Sequence, residues 1–145
     1  MTPIFVTDPE LLSRRVAEPD MSDLLDPDFS PAHWLRNPNN EAVTDGENFM
    51  LFSQTEPGIW EGHWLLRARG KGSFVIAADL LRYHFVRSGA ELIYGWVPAH
   101  KRASKWFTRQ MGFKSGGEKN RGQGLEEFFS ISRRSFEARY GLSEI

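Results

Sequence analysis

The chain has 145 residues, no cysteine and a formal net charge of −1 at pH 7, and we expect residues 1–145 to form one domain that buries roughly two-thirds of its unfolded surface. The absence of cysteine excludes disulfides, cysteine-ligated zinc and a thiolate nucleophile. No apolar run approaches the roughly 18 residues of a membrane helix, and the first ten residues lack the basic segment and apolar core of a signal peptide. A soluble, cytoplasmic protein is expected.

The charges are unevenly divided along the chain. Residues 1–62 hold 12 acidic and 3 basic residues, whereas residues 63–145 hold 7 acidic and 15 basic ones. Within one compact domain, the two halves can simply attract each other. The alternative is that the basic half faces an anionic ligand.

The first 40 residues predict a strand, a helix and a long irregular segment. Residues 3–8 have the composition of a strand, and Asp8 followed by Pro9 is typical of a helix start. Residues 19–40 contain four of the eight prolines, which predicts a short helix near residues 21–25 and then a packed loop that carries Trp34 on the substrate side.

The rest of the chain alternates strands and helices. Asp45 and Gly46 predict a hairpin, and strict alternation over residues 58–66 predicts a strand with Glu61 and His63 on one face. The remaining predicted elements are a helix at 73–87 that ends at Gly89, a strand at 91–97, a helix at 98–111, a strand at 124–132, a last helix at 133–141 and an exposed tail at 141–145. This order implies an α+β fold with a mixed, mostly antiparallel sheet, a βαβ crossover and flanking helices.

The sequence RARGKG, residues 67–72, connects a predicted strand directly to a predicted helix. The first N–H groups of a helix lack internal partners, glycines allow the backbone to approach a ligand, and the helix dipole and three cations add positive charge. We therefore expect an anion site suited to a pyrophosphate. The spacing matches neither a Walker loop nor a G-x-G-x-x-G dinucleotide motif, and a surface turn with solvated cations is the alternative.

The Arg-x-x-Gly-x-Gly spacing of Arg67, Gly70 and Gly72 resembles the motif with which the GNAT superfamily of acyl-CoA N-acyltransferases cradles the pyrophosphate of CoA. Residues 101–113, KRASKWFTRQMGF, resemble the following helix of that family. The matching positions there are Ala103, Ser104, Gly112 and Phe113. With the element order, the resemblance covers about residues 1–132. It implies the GNAT fold, acetyl-CoA as the cofactor, and direct acetyl transfer to a primary amine of a small molecule, a peptide N-terminus or a lysine.

The resemblance also implies where the catalytic groups lie. A base on or near the fourth strand would be Glu61 or His63, whose alternative role is a structural pair on a solvated sheet face. Tyr94, on the neighbouring strand, is the candidate acid. The expected CoA contacts are Leu65, Leu66, Arg67, Arg69, Gly70, Lys71, Gly72, Ser73, Lys101 and Ser104. No metal site is expected from the histidine spacing, and the missing Gly-x-Ser-x-Gly elbow favours direct transfer.

The second motif departs from the family at two positions. Lys101 stands where Asn is usual, and Thr108 stands where many members place Tyr, so the usual general acid is absent. Lys101, Lys105 and Arg109 form one stripe at i, i+4, with Arg102 beside it. This stripe is either a solvated face or a contact for the 3′-phosphate of CoA. A pI near 6.4 and the absence of a known motif argue against a nucleic-acid partner.

The predicted fourth strand is similar to a PGxxExHxL pattern in short GNAT-like proteins that bacteriophages commonly carry. The matching residues are Pro57, Gly58, Glu61, His63 and Leu65. The similarity implies a phage-encoded protein in the host cytoplasm or the virion, with an unknown amine acceptor such as a host protein. Two non-enzymatic alternatives are an internal virion component that keeps the fold, and a CoA-binding module that blocks or regulates a host protein. The oligomeric state is left open.

Overall fold

The computed structural model describes residues 2–21 and 28–143, in which one seven-stranded sheet carries the helices. The strands are β1 (Ile4–Phe5), β2 (Asn40–Thr44), β3 (Phe49–Glu56), β4 (Ile59–Leu65), β5 (Leu92–Pro98), β6 (Lys114–Asn120) and β7 (Leu125–Ser132). The helices are α1 (Pro9–Val16), α2 (Pro31–Arg36), α3 (Gly72–Ser88), α4 (Arg102–Gln110) and α5 (Arg133–Tyr140), with a 3₁₀ turn at Pro19–Met21. None of the described helices is long and apolar enough to cross a membrane.

The sheet has the order β1-β2-β3-β4-β5-β7-β6. Every neighbouring pair is antiparallel except β4 and β5, which run parallel and are joined through α3. The predicted mixed, mostly antiparallel sheet with flanking helices and one βαβ crossover is therefore confirmed. The crossover places the residues after β4, including the glycine loop, at the edge where β4 and β5 end.

Local sequence signals account for most of the element boundaries. A carboxylate oxygen of Asp8 accepts a hydrogen bond from the N–H of Glu10 at 3.0 Å and caps α1. Gly89, with φ of 65°, ends α3 in the left-handed conformation that a glycine adopts without steric cost. The hairpin predicted at Asp45 and Gly46 joins β2 to β3.

Alternating side chains of β4 divide the core between the two faces of the sheet. Trp60 belongs to the larger apolar cluster, which contains Leu81 of α3 and Phe136 of α5. Leu65 belongs to a second cluster with Leu12 of α1. Because successive side chains of a strand point to opposite faces, Glu61 and His63 lie on the α1 side of the sheet, beyond the region that α1 and α2 cover.

Several sequence predictions were wrong in detail. Trp34 lies on α2 rather than in a loop, because Ser30 caps a helix that starts at Pro31. Pro98 ends β5 instead of starting α4. The strand β6 was not predicted, since its sequence KSGGEKN is polar and glycine-rich and every residue is exposed. The helix predicted near residues 21–25 lies mostly outside the described residues.

Candidate functional site

The strands β4 and β5 form a wedge. They pair in parallel only from Ile59 opposite Leu92 to Glu61 opposite Tyr94, although β4 continues to Leu65 and β5 to Pro98. At the apex the strands still touch, because a Cβ added to Gly95 would lie 3.1 Å from the carbonyl oxygen of Gly62. Beyond it, residues 62–65 and 95–98 do not pair with each other, which leaves an opening in an otherwise continuous sheet.

The two sides of the wedge have different linings. On the α4 side, the ring of Trp64 packs edge-on against Phe107 at 5.4 Å and Phe113 at 6.0 Å. On the other side lie Glu61 and His63 of β4 and, at the same level or just beyond, Tyr94 and Trp96 of β5. The wedge therefore has an apolar side formed by Trp64 and its aromatic neighbours, and a side with the ionisable groups of Glu61, His63 and Tyr94.

The glycine loop stands at the mouth of the wedge and offers backbone donors. The first hydrogen bonds of α3 run from the N–H of Ser73 to the Gly70 carbonyl and from the N–H of Phe74 to the Lys71 carbonyl. Among the described residues, the N–H groups of Gly70, Lys71 and Gly72 have no acceptor. These unpaired donors lie at a helix N-terminus, where backbone N–H groups favour an anion, and a Cβ added to Gly72 would meet nothing within 4 Å.

Two buried polar side chains hold this loop in place. Asn48 is 3% exposed, and its Oδ1 accepts hydrogen bonds from the N–H groups of Arg67 at 2.7 Å and Ala68 at 2.9 Å. Arg15 is 1% exposed, and it donates to the carbonyls at the end of β4, at 3.3 Å to Leu65 and 3.0 Å to Leu66. The loop is thus anchored through its donors on one side and its acceptors on the other.

Both loop arginines have carboxylate partners in another part of the chain, which the sequence alone did not indicate. The guanidinium of Arg67 is paired with Glu18, and that of Arg69 lies 3.6 Å from Asp20. The hydrogen bond from Arg15, with the positive charges of Arg15 and Arg69, holds the pKa of Asp20 below its usual value despite partial desolvation. Lys71 is therefore the one loop cation of residues 67–72 whose side chain has no ion pair among the described residues.

The structure brings the predicted catalytic residues together at the wedge. Glu61 and Tyr94 are directly opposite in the β4–β5 register, and His63 follows on the same face of β4. The ring of Tyr94 packs against Phe128 at 5.5 Å. His63 lies at the edge of the wedge and is exposed. Desolvation by the surrounding residues nevertheless lowers the pKa of His63 below its ordinary value, and the charge of Glu61 partly opposes this effect. The imidazole is therefore neutral, and able to accept a proton, at neutral pH.

Two cations of the basic stripe of α4 form ion pairs within the protein, although the Arg109 side chain is still 49% exposed. Lys105 lies 3.4 Å and Arg109 2.6 Å from the carboxylate of the buried Glu127 on β7. A hydrogen bond from Ser115, together with these two cations, lowers the pKa of Glu127 against the effect of burial. Lys101 and Ser104 remain at the N-terminal end of α4, where the helix has no side-chain cap.

Solved structures with the same architecture include several acetyltransferases. The aminoglycoside acetyltransferase AAC(6′)-Ib in complex with coenzyme A and kanamycin matches with a TM-score of 0.75 and 15% identity, over 95% of this chain and 98% of that one. A variant of the spermidine N-acetyltransferase SpeG from Vibrio cholerae matches with a TM-score of 0.72 and 11% identity, over 94% and 97%. An acetyltransferase of the GNAT family from Bacillus anthracis matches with a TM-score of 0.63 and 15% identity, over 92% and 96%.

The chain has the GNAT fold. Neither a protein-family model nor a characterised protein sequence matches it, so the likeness lies in the structure and not in overall sequence similarity. The fold expected from Arg67, Gly70 and Gly72 is confirmed, and the glycine loop has the position between a strand and a helix that the motif predicts.

One departure from the GNAT motifs has a structural explanation. Thr108, which stands where many members of the family have Tyr, is 3% exposed and donates its hydroxyl hydrogen to the carbonyl of Ser104 at 2.8 Å. The hydroxyl is occupied within α4. It is therefore not available to protonate a leaving group in the wedge.

Sequence reasoning missed four residues that shape this GNAT-fold site. Asn48 and Arg15 carry no motif, because Asn48 contacts a residue 19 positions away and Arg15 contacts residues 50 and 51 positions away. Trp96 stands within a predicted strand without any signal of its own. Trp106, 56% exposed on α4, packs against Phe74 near the start of α3 at 5.9 Å. The exposure of Trp106, unusual for a large aromatic residue, is visible only in the structure.

Proposed function

We propose that this protein is an acetyl-CoA-dependent N-acetyltransferase that acetylates a primary amine, with residues 1–145 as a single catalytic domain. The observation that carries the proposal is the wedge between β4 and β5, which leads from unpaired backbone donors at Gly70–Gly72 to a neutral histidine, His63. The acetyltransferases with the same fold that are named above support the reaction type. Acceptors in this proposal are a small molecule, a peptide N-terminus or a lysine.

The residues at the mouth of the wedge fit the polar end of CoA. The N–H groups of Gly70, Lys71 and Gly72, the dipole of α3 and the charge of Lys71 would hold the pyrophosphate. Lys101 and Arg102 would contribute positive charge near the 3′-phosphate, with Ser104 beside them. Because Leu65 is buried and Arg15 already binds the carbonyls of Leu65 and Leu66, these two residues would contribute backbone donors and shape. Ser73, whose N–H and hydroxyl both donate to the Gly70 carbonyl, would contribute shape alone.

Trp106 would add an aromatic surface for the adenine ring. It projects from α4 beside Phe74, close to the start of α3, and its neighbours Lys101 and Arg102 match the charge of a nucleotide phosphate. Arg67 and Arg69, which Glu18 and Asp20 neutralise, would act mainly through their backbone. The pantetheine arm would then extend along the apolar wall of Trp64 and Phe107.

Bound acetyl-CoA supplies a thioester, and the protein supplies proton transfer and positioning. His63 Nδ1 or Nε2 would take a proton from the acceptor ammonium, which leaves a neutral amine with a free lone pair. That amine would attack the thioester carbonyl, the C–S bond would break after the new C–N bond forms, and the acyl oxygen would be stabilised by a backbone N–H on the unpaired edge of β4. The second proton that the nitrogen loses balances the one that the thiolate receives. Glu61 would attract the amine to His63. Tyr94 is the candidate that returns a proton to the thiolate, since the hydroxyl of Thr108 is occupied.

A thermal-shift titration with acetyl-CoA tests the cofactor site. At 100 times the dissociation constant, ligand binding stabilises a fold by about 2.7 kcal/mol, which raises the melting temperature visibly. Gly72→Asp places a carboxylate at the N-terminus of α3, where it favours the helix but repels a pyrophosphate, so this variant is expected to be as stable as the wild type and to show no shift. Gly72→Asn is the matched control, because it has nearly the size of Asp without the charge, and it is expected to retain more of the shift than Gly72→Asp.

Turnover with a panel of primary amines, followed by thiol release, tests the reaction. A protein that shifts with acetyl-CoA in a Gly72→Asp-sensitive way and yet acetylates no amine would support a second candidate, a GNAT-fold protein without catalysis, which the occupied hydroxyl of Thr108 favours. The absence of any shift at millimolar acetyl-CoA would contradict the cofactor assignment itself.

The PGxxExHxL pattern supports a finer proposal, that the protein is phage-encoded and acts in the bacterial cytoplasm, with a host protein among its acceptors. The non-catalytic candidate would then be an internal virion component or a regulator of a host protein. Mass spectrometry of purified particles separates these, because a virion component is expected at stoichiometric levels and an enzyme is not.

A further inference from the structure

The open face of the sheet carries an aromatic and acidic site at the end of β5. Trp96 lies on the same face as Tyr94, and its register partner Phe128 packs against it at 4.9 Å between ring centroids. Glu126 lies two residues before Phe128 on β7 and so shares this face. None of the helices α3, α4 and α5 covers this side, since Ile93 and Phe129, their neighbours on the two strands, point into the core beneath those helices.

A cation of the chain already lies in this site. The guanidinium carbon of Arg121 is 4.4 Å from the centroid of the Trp96 ring, and the guanidinium lies 3.6 Å from the carboxylate of Glu126. An aromatic face and a carboxylate that converge on one point form a general binding site for a positively charged group. Arg121 therefore shows which chemistry the site accepts.

The contact of Arg121 with Trp96 and Glu126 is exposed to solvent and belongs to a glycine-containing turn. Its side chain is 42% exposed, so the pair is screened by solvent and is weak. The residue stands at the turn between β6 and β7, where Gly122 and Gly124 have φ of 107° and 103°, backbone conformations that glycine adopts without strain. The turn can therefore release Arg121 without disturbing the core.

We infer that the acceptor is a dication, whose first amine reacts at His63 while its second, charged amine replaces Arg121 between Trp96 and Glu126. This inference rests on the proposed acetyltransferase function. His63 lies on β4 and Trp96 lies on β5, and these strands diverge at this level. The two amine nitrogens of the acceptor must therefore be farther apart than paired strands, which are about 4.8 Å apart. A diamine with a short linker is too small to reach both. Glu61, beside His63, adds negative charge at the reacting end.

Steady-state kinetics with matched amines test the inference, with 1,4-diaminobutane as the long diamine, ethylenediamine as the short one and n-butylamine as the monoamine. In the wild type, the long diamine is expected to show a KM at least tenfold lower than either of the other two. Arg121→Ala removes the competing cation and is expected to lower the KM for the long diamine about threefold or more, with kcat and the KM for the monoamine unchanged. Trp96→Leu is expected to abolish the preference for the long diamine. Arg134→Ala removes an exposed positive charge from α5, which packs on the other face of the sheet, and serves as the control.

The outcomes separate this inference from the proposed function. An equal effect of Arg121→Ala on mono- and diamines, or no effect on either, would overturn the dication site while leaving the acetyltransferase intact. If no amine is acetylated, calorimetric binding of 1,4-diaminobutane to the CoA-saturated protein is the readout. Tighter binding to Arg121→Ala and weaker binding to Trp96→Leu would support the site, and identical binding to all three proteins would refute it.

Discussion

The two ends of the wedge are held in opposite ways. At the mouth, the glycine loop is anchored by the buried side chains Asn48 and Arg15, which together bind two backbone donors and two backbone acceptors. At the other end, the proposed acceptor site lies on one face of the interior strands β5 and β7, and its cation Arg121 is held by a solvent-screened pair. If the proposal is right, the cofactor binds to backbone groups that buried side chains hold in place. The acceptor then binds to exposed side chains, which can change without destabilising the core.

The largest expected effect is on turnover, because it concerns His63, the residue that we propose as the general base. His63→Gln is expected to lower kcat by about 100- to 10,000-fold, the usual range for the loss of a general base. Burial in the cleft lowers the pKa of His63, so the activity of the wild type should persist down to the ordinary histidine value near 6.5 and decline below it. The variant should lack this decline. The exposed His33 of α2 provides the control substitution, His33→Gln.

A pH–rate profile of Glu61→Gln decides between the two candidates on this face. If Glu61 only attracts the amine, its variant raises KM and keeps the acid decline of the wild type. Full turnover in both the His63 and the Glu61 variants, each shown to be folded, would contradict a catalytic role for this face of β4.

The largest expected effect on stability belongs to the anchored end. Arg15→Met leaves the carbonyls of Leu65 and Leu66 without their donor and separates Asp20 from its main partner. Breaking a buried ion pair from one side typically costs about 3–5 kcal/mol. Since Glu18 and Asp20 are partly exposed and regain water, we expect a loss of about 3 kcal/mol in the free energy of urea unfolding, at the lower end of that range.

Two arginines sharpen this comparison of the two ends. Arg14, whose pair with Glu10 is exposed, and Arg121 at the open end should both tolerate the same change to Met within about 0.5 kcal/mol. A cost for Arg121→Met as large as that for Arg15→Met would mean that the open end is not exchangeable.

Asn48→Ala is expected to have a smaller effect on stability and a specific one on the cofactor. The N–H groups of Arg67 and Ala68 lose their shared acceptor, and an unsatisfied buried or half-buried donor costs about 1–3 kcal/mol. With the loop less ordered, the affinity for acetyl-CoA should fall about tenfold, which corresponds to about 1.4 kcal/mol. The neighbouring exposed residue gives the control, Glu47→Ala. Unchanged affinity in Asn48→Ala would show that the loop needs no anchor.

Sequence reasoning located the fold and the two strands of the site, but not what supports them. The alternation of residues 58–66, the loop from Arg67 to Gly72 and the cap at Gly89 are local signals, and each led to the observed element. The anchors depend on contacts far apart in sequence, as with Arg15 and Leu65, which periodicity does not report. The pairing of Arg67 and Arg69 was not predicted, because their partners, Glu18 and Asp20, belong to another part of the chain.

The smallest expected effect is a pH dependence of the free energy of unfolding, which comes from the buried His84 of α3. His84 is fully buried, stacks on Phe52 with centroids 3.7 Å apart, and places Nδ1 3.3 Å from the carboxylate of Glu41. Desolvation lowers the pKa of His84, and the hydrogen bond and charge of Glu41 only partly oppose this. The unfolded chain therefore binds the proton more readily than the folded one.

The sign of the effect follows from this difference. Stability is fully present above the ordinary histidine value of about 6.5 and falls as the pH drops from there toward the lower folded-state pKa, by at most about 1.4 kcal/mol per pH unit for one such group. Glu41, whose pKa burial raises but hydrogen bonds from His84 and Ser88 lower overall, acts with the same sign only below its ordinary value of 4.5. Urea unfolding between about pH 8 and pH 5 thus isolates the histidines, and His84→Met should flatten the curve. His63→Gln should also reduce the pH dependence of stability. Because His63 lies at the exposed edge of the wedge, we expect a smaller reduction from this variant than from His84→Met. A larger reduction from His63→Gln would mean that the wedge desolvates its histidine more than the core does.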